Sequence, residues 1–258
     1  MAPVHSQPQT TINQIGARVR DILGDTPHYL SRDDFVLRRI LRDCDGLMMA
    51  DPVQGHLATA MALQLCGDEQ GVRHHFTSAK QLTPDSDGQI THLWAQASAN
   101  LGLFSESHRA LADSLKAESG FFPYRTGLAI TVGAFHLLFD RLNKAVRMNV
   151  PVLDNFPLEK ARQTLSALDS EPASDEDVAA MLDVAGGVMR DRKMFYLDHG
   201  PRWDILPEAG IHLVHFAFRV QGSPAEVADM NVELATRTAE RVDRIALSFH
   251  VSFTGQRA

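Results

Sequence analysis

Two stretches of this chain, thirty-five residues apart, carry the same series of residues. The first is Gly67, Val72, Phe76, Ala79 and Pro84; the second is Gly102, Phe104, Ser107, Leu111 and Ser114. An echo at this period marks stacked helical hairpins, because one hairpin cannot bury its apolar face alone and a neighbour of similar shape completes the burial. Stacks of this kind offer a groove to a partner rather than a set of reacting groups. The echo therefore constrains the architecture strongly and leaves the partner open.

Local signals agree with it. Asp51-Pro52 suits a helix start, since Pro at the first helical position needs no partner for an N–H. Helices of about 52–66 and 69–82 are joined by Cys66-Gly67-Asp68, and helices of about 88–101 and 105–118 by Gly102-Leu103-Phe104. Gly tolerates the left-handed helix cap, and small side chains let helix axes approach.

Over residues 53–121 the spacing and residue types resemble the tetratricopeptide repeat. The first unit, 53–86, departs from that pattern in having Val72 where a small residue is usual. The second, 88–121, has Ser107 and Ser114 where Ala is expected and no Pro near 119. The resemblance implies a protein-binding scaffold or adaptor. It places on the inner groove Gln54, Leu57, Met61 and Gln64 of one helix, and Gln89, His92, Gln96 and Asn100 of the next. Amides and an imidazole suit hydrogen bonding to an extended peptide. Repeats that grip acidic tails use Lys and Arg here, and 52–66 and 88–101 contain neither, which disfavours an acidic-tail partner. The alternative is that this face packs against the chain's own N-terminal helices or against the helix after Pro123.

The flanks read as further helix. Residues 1–9 are expected to be a disordered lead. Ile12, Ile15, Val19, Ile22 and Leu23 recur at helical spacing, as do Leu37, Ile40, Leu41 and Cys44. After Pro123 the series Leu128, Val132, Phe135, Phe139, Leu142 and Val146 predicts one long helix, and Leu158–Leu168 a shorter one. Asp169–Ala173 is the linker candidate.

Beyond it the period changes. Val214, Phe216, Phe218 and Val220 alternate, as do Ile245, Leu247, Phe249, Val251 and Phe253; period two over this length predicts β-strands at 211–220 and 244–254, with a further short one at 193–197. Between them Ser223-Pro224 opens an amphipathic helix expected to bury Ala228, Val232, Ala235, Ala239 and Val242. The fold class expected is mostly α: a tetratricopeptide-like helical-repeat region, 10–168, followed by a small α/β or α+β domain, 174–258. The last strand suggests a sheet edge open to pairing, and so a homodimer through the C-terminal sheet.

Two other constellations carry chemistry. Residues 196–204 gather Asp198, His199, Arg202, Trp203 and Asp204 around a Gly-Pro turn, so His199 is a candidate proton carrier, with Asp198 and Arg202 beside it. The plainer reading is a loop locked by an Arg–Asp pair under an anchoring Trp. On the sheet, His215, Arg219 and His250 share the polar face and are candidate ligand-binding residues; the plainer reading is a solvated sheet face. His74-His75 point in diverging directions on a helix, and His136 lies in a core pattern that suits a hydrogen-bonded structural histidine. These features motivate the alternative function, a small-molecule sensor or enzyme in the C-terminal domain.

Composition sets the outer bounds. A net charge of -7 argues against neutralising a nucleic-acid backbone. Two cysteines, Cys44 and Cys66, are too few for a disulfide framework or a cysteine-rich metal centre. No run is apolar enough to span a bilayer, and the N-terminus lacks the build of a secretory signal. The expectation is a cytoplasmic protein with a protein or peptide partner, without metal or cofactor.

Overall fold

The computed structural model describes residues 8–117, 123–148, 158–170, 173–196, 200–208 and 211–256. Its first half is a run of antiparallel helices. α1 (Pro8–Asp25) and α2 (Phe35–Ala50) precede α3 (Pro52–Leu63), whose last turn tightens into a 3-10 turn at Gln64–Cys66. Then come α4 (Glu69–Leu82), α5 (Gln89–Asn100) and α6 (Phe104–Ala117). Asp34 accepts from the Val36 N–H to open α2, and Asp51 accepts from the Gln54 N–H to open α3, so each N-terminus has its capping oxygen.

Helices α3 and α4 form one hairpin and α5 and α6 the next, each closed by a glycine in the left-handed region. Gly67 and Gly102 have φ of 69° and 68°. Both turns use the same bonds. Gly67 N–H donates to Gln64 C=O and Asp68 N–H to Leu63 C=O; Gly102 N–H donates to Ala99 C=O and Leu103 N–H to Ser98 C=O. The paired glycines of the sequence echo are thus paired turns of the fold.

A third closure of the same kind corrects the long helix expected after Pro123. Gly133, φ 70°, donates to Ile130 C=O while Ala134 N–H donates to Ala129 C=O. The chain breaks there into α7 (Pro123–Thr131) and α8 (Phe135–Arg147). Val132 and Phe135 stay fully buried on either side of the turn, so the apolar period runs through the break and conceals it.

α9 (Leu158–Ser170) and α10 (Asp175–Asp191) follow, then a three-stranded sheet with α11 (Pro224–Arg241) inserted before its last strand. β1 (Arg202–Glu208) pairs antiparallel with β2 (Ile211–Gln221), and β2 pairs parallel with β3 (Phe249–Gln256) across the α11 crossover. Val214, Phe216, Phe218, Phe249 and Phe253 turn one sheet face into the core beneath α8, α9 and α10.

Four expectations change here. Residues 193–195 make no named strand; they hold a single bridge between His28 and Met194, with Phe195 N–H donating to Pro27 C=O. β1 instead arises from residues expected to be loop. The last strand starts at Phe249, and Ile245 and Leu247 ahead of it are 43% and 67% exposed. α11 is turned relative to its predicted face: it buries Val227, Met230 and Leu234, while Ala228, Val232, Ala235 and Ala239 face outward. Both stripes have helical spacing, and bulk decides between them, because the larger residues remove more apolar area from water.

Two apolar cores result. One runs from Ile12 on α1 to Leu101, and the other from Ala95 to Phe253 on β3. They meet along α5, whose Ala95 and Ala99 join the second core and Ala97 the first. α10 locks the junction. Gly186 lies against the Gly102 turn so closely that a Cβ at 186 would stand 1.8 Å from Gly102 O. Next to it, Arg190 donates to the Gly102 carbonyl.

Candidate functional site

The inner face expected of the hairpins divides into two parts. At one end, α1, α3 and α5 enclose a cleft of about 850 Å³. Leu57, Met61 and Leu93 line it with apolar surface, Asn13, Gln54 and Gln89 bring amides to it, and Arg20 stands on its α1 side. Asp51 and Asp85 close its ends. Each carboxylate caps a helix, Asp51 that of α3 and Asp85 that of α5, through the Ile90 and Thr91 N–H groups. The rim, with Asp87 added, carries three carboxylates against one guanidinium.

At the other end the face is internal. Gln64 is 4% exposed; its Nε2 donates to Met61 C=O, and its Oε1 accepts from Asn100 Nδ2 at 2.9 Å. Asn100 in turn lies within 3.5 Å of the Tyr196 hydroxyl, and burial holds that phenol well above its usual range. His92 is also buried, while Gln96 is exposed and lies outside the cleft lining. Of the residues assigned to the groove, Gln54, Leu57, Met61 and Gln89 line the cleft together. Gln64 and Asn100 form a polar seam between the hairpins. α1 fills part of the groove with Ile12, Ile15 and Val19, so the chain itself supplies one wall.

The sheet brings two predicted residues together. His215 and His250 are register partners on adjacent strands, with ring centroids 5.2 Å apart, and His215 Nε2 lies 2.8 Å from Ser252 Oγ. Arg219 is on the same face, opposite Thr254, and Asp204 is opposite His215 on β1. Arg202 lies two register positions from His215, opposite Ala217. Asp198 and His199 lie outside the described residues. The Trp of that segment is anchored as expected, with Trp203 Nε1 donating to Thr164 Oγ1 at 2.9 Å, and Asp204 beside it pairs with Lys160. An apolar cleft of about 440 Å³ opens between α11 and β3, with His250 and Ser252 at its polar end. Asn231 on α11 caps the outer edge of β3, accepting from Phe253 N–H and donating to Phe253 C=O. The edge expected to be open to pairing is closed at that residue.

One constellation escaped the sequence. Asp175, 6% exposed in the first turn of α10, accepts from the backbone N–H groups of His136 and Leu137 and lies 2.8 Å from His136 Nδ1. His136 Nε2 reaches Asp169 at 3.1 Å, and His108 Nε2 stands 3.9 Å from Asp175. These groups border a cavity of about 550 Å³ with Asp140, Glu176 and Arg244. Burial pushes the Asp175 carboxyl up, but the nearby His108 ring and the hydrogen bonds from Leu137 and His136 outweigh it and hold the carboxyl below its usual range. Burial likewise pushes His136 down, and its two carboxylates hold it above the usual imidazole range. With both ring nitrogens facing carboxylates, the imidazole in its protonated form donates to both and then has no lone pair with which to take a proton. His108, His136 and the Asp169/Asp175 pair come from separate stretches of the chain, with His108 67 residues from Asp175, so no local motif signals it.

Both cysteines are free. Burial pushes buried Cys44 up to about 12 and raises half-buried Cys66. Among the described residues no three His, Cys, Asp or Glu side chains are arranged to hold a metal, and no helix is long and apolar enough to cross a membrane. No family model matches the chain, and no curated protein or solved structure matches it.

Proposed function

We propose that this protein is an interaction scaffold that holds an extended segment of a partner protein in the cleft between α1, α3 and α5. The observation that carries the reading is the convergence of Asn13, Gln54 and Gln89 on apolar lining supplied by Leu57, Met61 and Leu93. Side-chain amides pair with the backbone of an extended peptide, and the apolar lining takes alternate side chains. The tetratricopeptide-like reading of 53–121 supports this through the repeated glycine turns. The carboxylate-rich rim favours neutral or basic segments over acidic tails. Two unpaired thiols fit a cytoplasmic setting.

Selection of displayed peptides against the full chain tests the proposal. Selected peptides should bind with Kd of about 1–100 µM, that is roughly 5–8 kcal/mol. Gln54→Ala and Gln89→Ala should each weaken binding about tenfold, an effect of about 1.4 kcal/mol, while Gln96→Ala on the exposed face leaves it unchanged. Peptides that bind the cleft variants as tightly as the parent would rule the cleft out.

A second reading, a small-molecule sensor in the C-terminal part, rests on the apolar cleft beside β3 with His250 and Ser252 at its end. It predicts that small apolar ligands shift the ring resonances of His215 and His250 and leave the α3–α5 cleft undisturbed.

A further inference from the structure

α2 packs against α1 and α3 through Leu37, Ile40, Cys44 and Leu47 and turns its opposite side outward. On that side Phe35, Arg38, Arg39, Arg42, Gly46 and Met49 fall at helical spacing and form one exposed stripe. Both ends of the stripe are apolar, with Phe35 72% and Met49 89% exposed. Its middle is cationic. Asp43 on the flank pairs with Arg18, and among the described residues no carboxylate pairs with Arg38, Arg39 or Arg42. Asp45 borders the stripe and offsets one of these three charges.

The geometry selects a helix as the occupant. Phe35, Arg42 and Met49 are seven residues apart, the interval at which one helix returns to the same side of a neighbour. The stripe runs about 21 Å along the helix axis, the length of four turns. A Cβ at Gly46 would meet nothing within 4 Å, so the surface has a notch between Arg42 and Met49 that can seat a partner's side chain.

Charge selects the chemistry. Guanidinium groups hold carboxylates through paired hydrogen bonds. A second copy of α2 laid on this face would set arginine against arginine. A helix that lies in a membrane surface turns its broad apolar face to lipid, and that face of α2 is buried in the core. A nucleic acid is an extended polyanion and meets the whole chain's net charge of -7, whereas a single helix meets the stripe alone.

We propose that the outer face of α2 docks an acidic helix of a partner protein. The partner's carboxylates pair with Arg38, Arg39 and Arg42, and its apolar residues sit on Phe35 and Met49. The charged middle steers the encounter and fixes the register, while the apolar ends add burial. None of these residues lines the cleft between α1, α3 and α5, so the two surfaces can be occupied together.

The test uses three labelled helical peptides of about 21 residues, with Leu at the spacing of Phe35 and Met49 and with Glu, Gln or Lys on the same face between them. Binding to the full chain is read by fluorescence anisotropy. The Glu peptide should bind with Kd of about 10–100 µM at low salt, at least about tenfold tighter than the Gln peptide, and should weaken as salt rises. The Lys peptide should not bind. Arg38→Glu with Arg42→Glu should weaken the Glu peptide at least about tenfold and allow the Lys peptide to bind. Phe35→Ser should weaken the Glu peptide about threefold. All three side chains are exposed, so circular dichroism should be unchanged. Gln54→Ala with Gln89→Ala should leave the Glu peptide bound, which separates this surface from the cleft. Failure of the Glu peptide to bind, or equal binding by the parent and the arginine double variant, overturns the proposal. A DNA duplex or phosphatidylserine vesicles that need the same arginines and displace the Glu peptide also overturn it, by assigning the stripe to a different class of partner.

Discussion

Asp175 shows how much one buried carboxylate can organise. α8 begins at Phe135 without a side-chain cap of its own, since Ala134 stands at its N-cap. Asp175 supplies that cap from another helix by accepting the His136 and Leu137 N–H groups, and the His136 ring then bridges it to Asp169 at the end of α9. Three helix ends are held by one charge and one imidazole. The linkage has a definite sign. His136 has a folded pKa above its ordinary value, so its contribution to stability is complete below about pH 6.5 and is lost as pH rises through the raised value. The Asp175 carboxyl is shifted the other way, so its contribution is present above its ordinary value of about 3.9 and is lost only as pH falls through the depressed one. The urea midpoint of His136→Gln should therefore fall further below the parent's at about pH 5.5 than at about pH 8.5. An equal deficit at both pH values would show that the imidazolium does not supply the clamp.

At the scale of elements, close approach and shared polar groups set how the hairpins dock. Glu106 on α6 accepts from Arg73 of α4 and from Trp94 of α5, which ties the two hairpins together. α10 reaches them through glycine. A methyl group on Gly186 would overlap the Gly102 carbonyl, and neither backbone can yield without moving a helix or a turn. Gly186→Ala should cost at least about 3 kcal/mol, read as a lowered urea midpoint. Gly187→Ala next to it meets only the flexible ends of Arg237 at 3.7 Å and Arg190 at 3.9 Å and should be neutral or stabilising by up to about 1 kcal/mol, from helix propensity. Equal behaviour of the two variants would deny the close contact. The Gly-Gly pair is a docking surface on one residue and a free position on the next.

Across the whole molecule, the two cores do not separate at the linker between α9 and α10. α5 contributes to both, α10 is bolted to the turn of the second hairpin, and residues 193–195 pair with 27–29. The parts should unfold as one. Trp94 packs against the first core and Trp203 against the second, and they are the two tryptophans of the chain. Trp94→Phe and Trp203→Phe leave one reporter each, and their urea transitions, each normalised to its circular dichroism transition, should coincide. A Trp94 signal lost at clearly lower urea than the circular dichroism of the same variant would show two independent units.

What the sequence determined by itself is local. Gly67 and Gly102 close helices because only glycine enters the left-handed cap without strain, and β2 declares itself by alternating Val214, Phe216, Phe218 and Val220. Gln54, Met61 and Gln89, which the tetratricopeptide resemblance assigns to the inner face, line the cleft between α1, α3 and α5. The tertiary structure decided everything that depends on which face meets which. The period of Leu128–Val146 hid the break at Gly133, two helical stripes on α11 competed until bulk chose one, and Gln64 and Asn100 turned inward because α10 and Tyr196 close over their end of the groove. The contacts of the clamp at Asp175 join residues distant in the chain. Such pairings are set by long-range packing, whose energy is spread over many contacts and leaves no spacing for a local pattern to show.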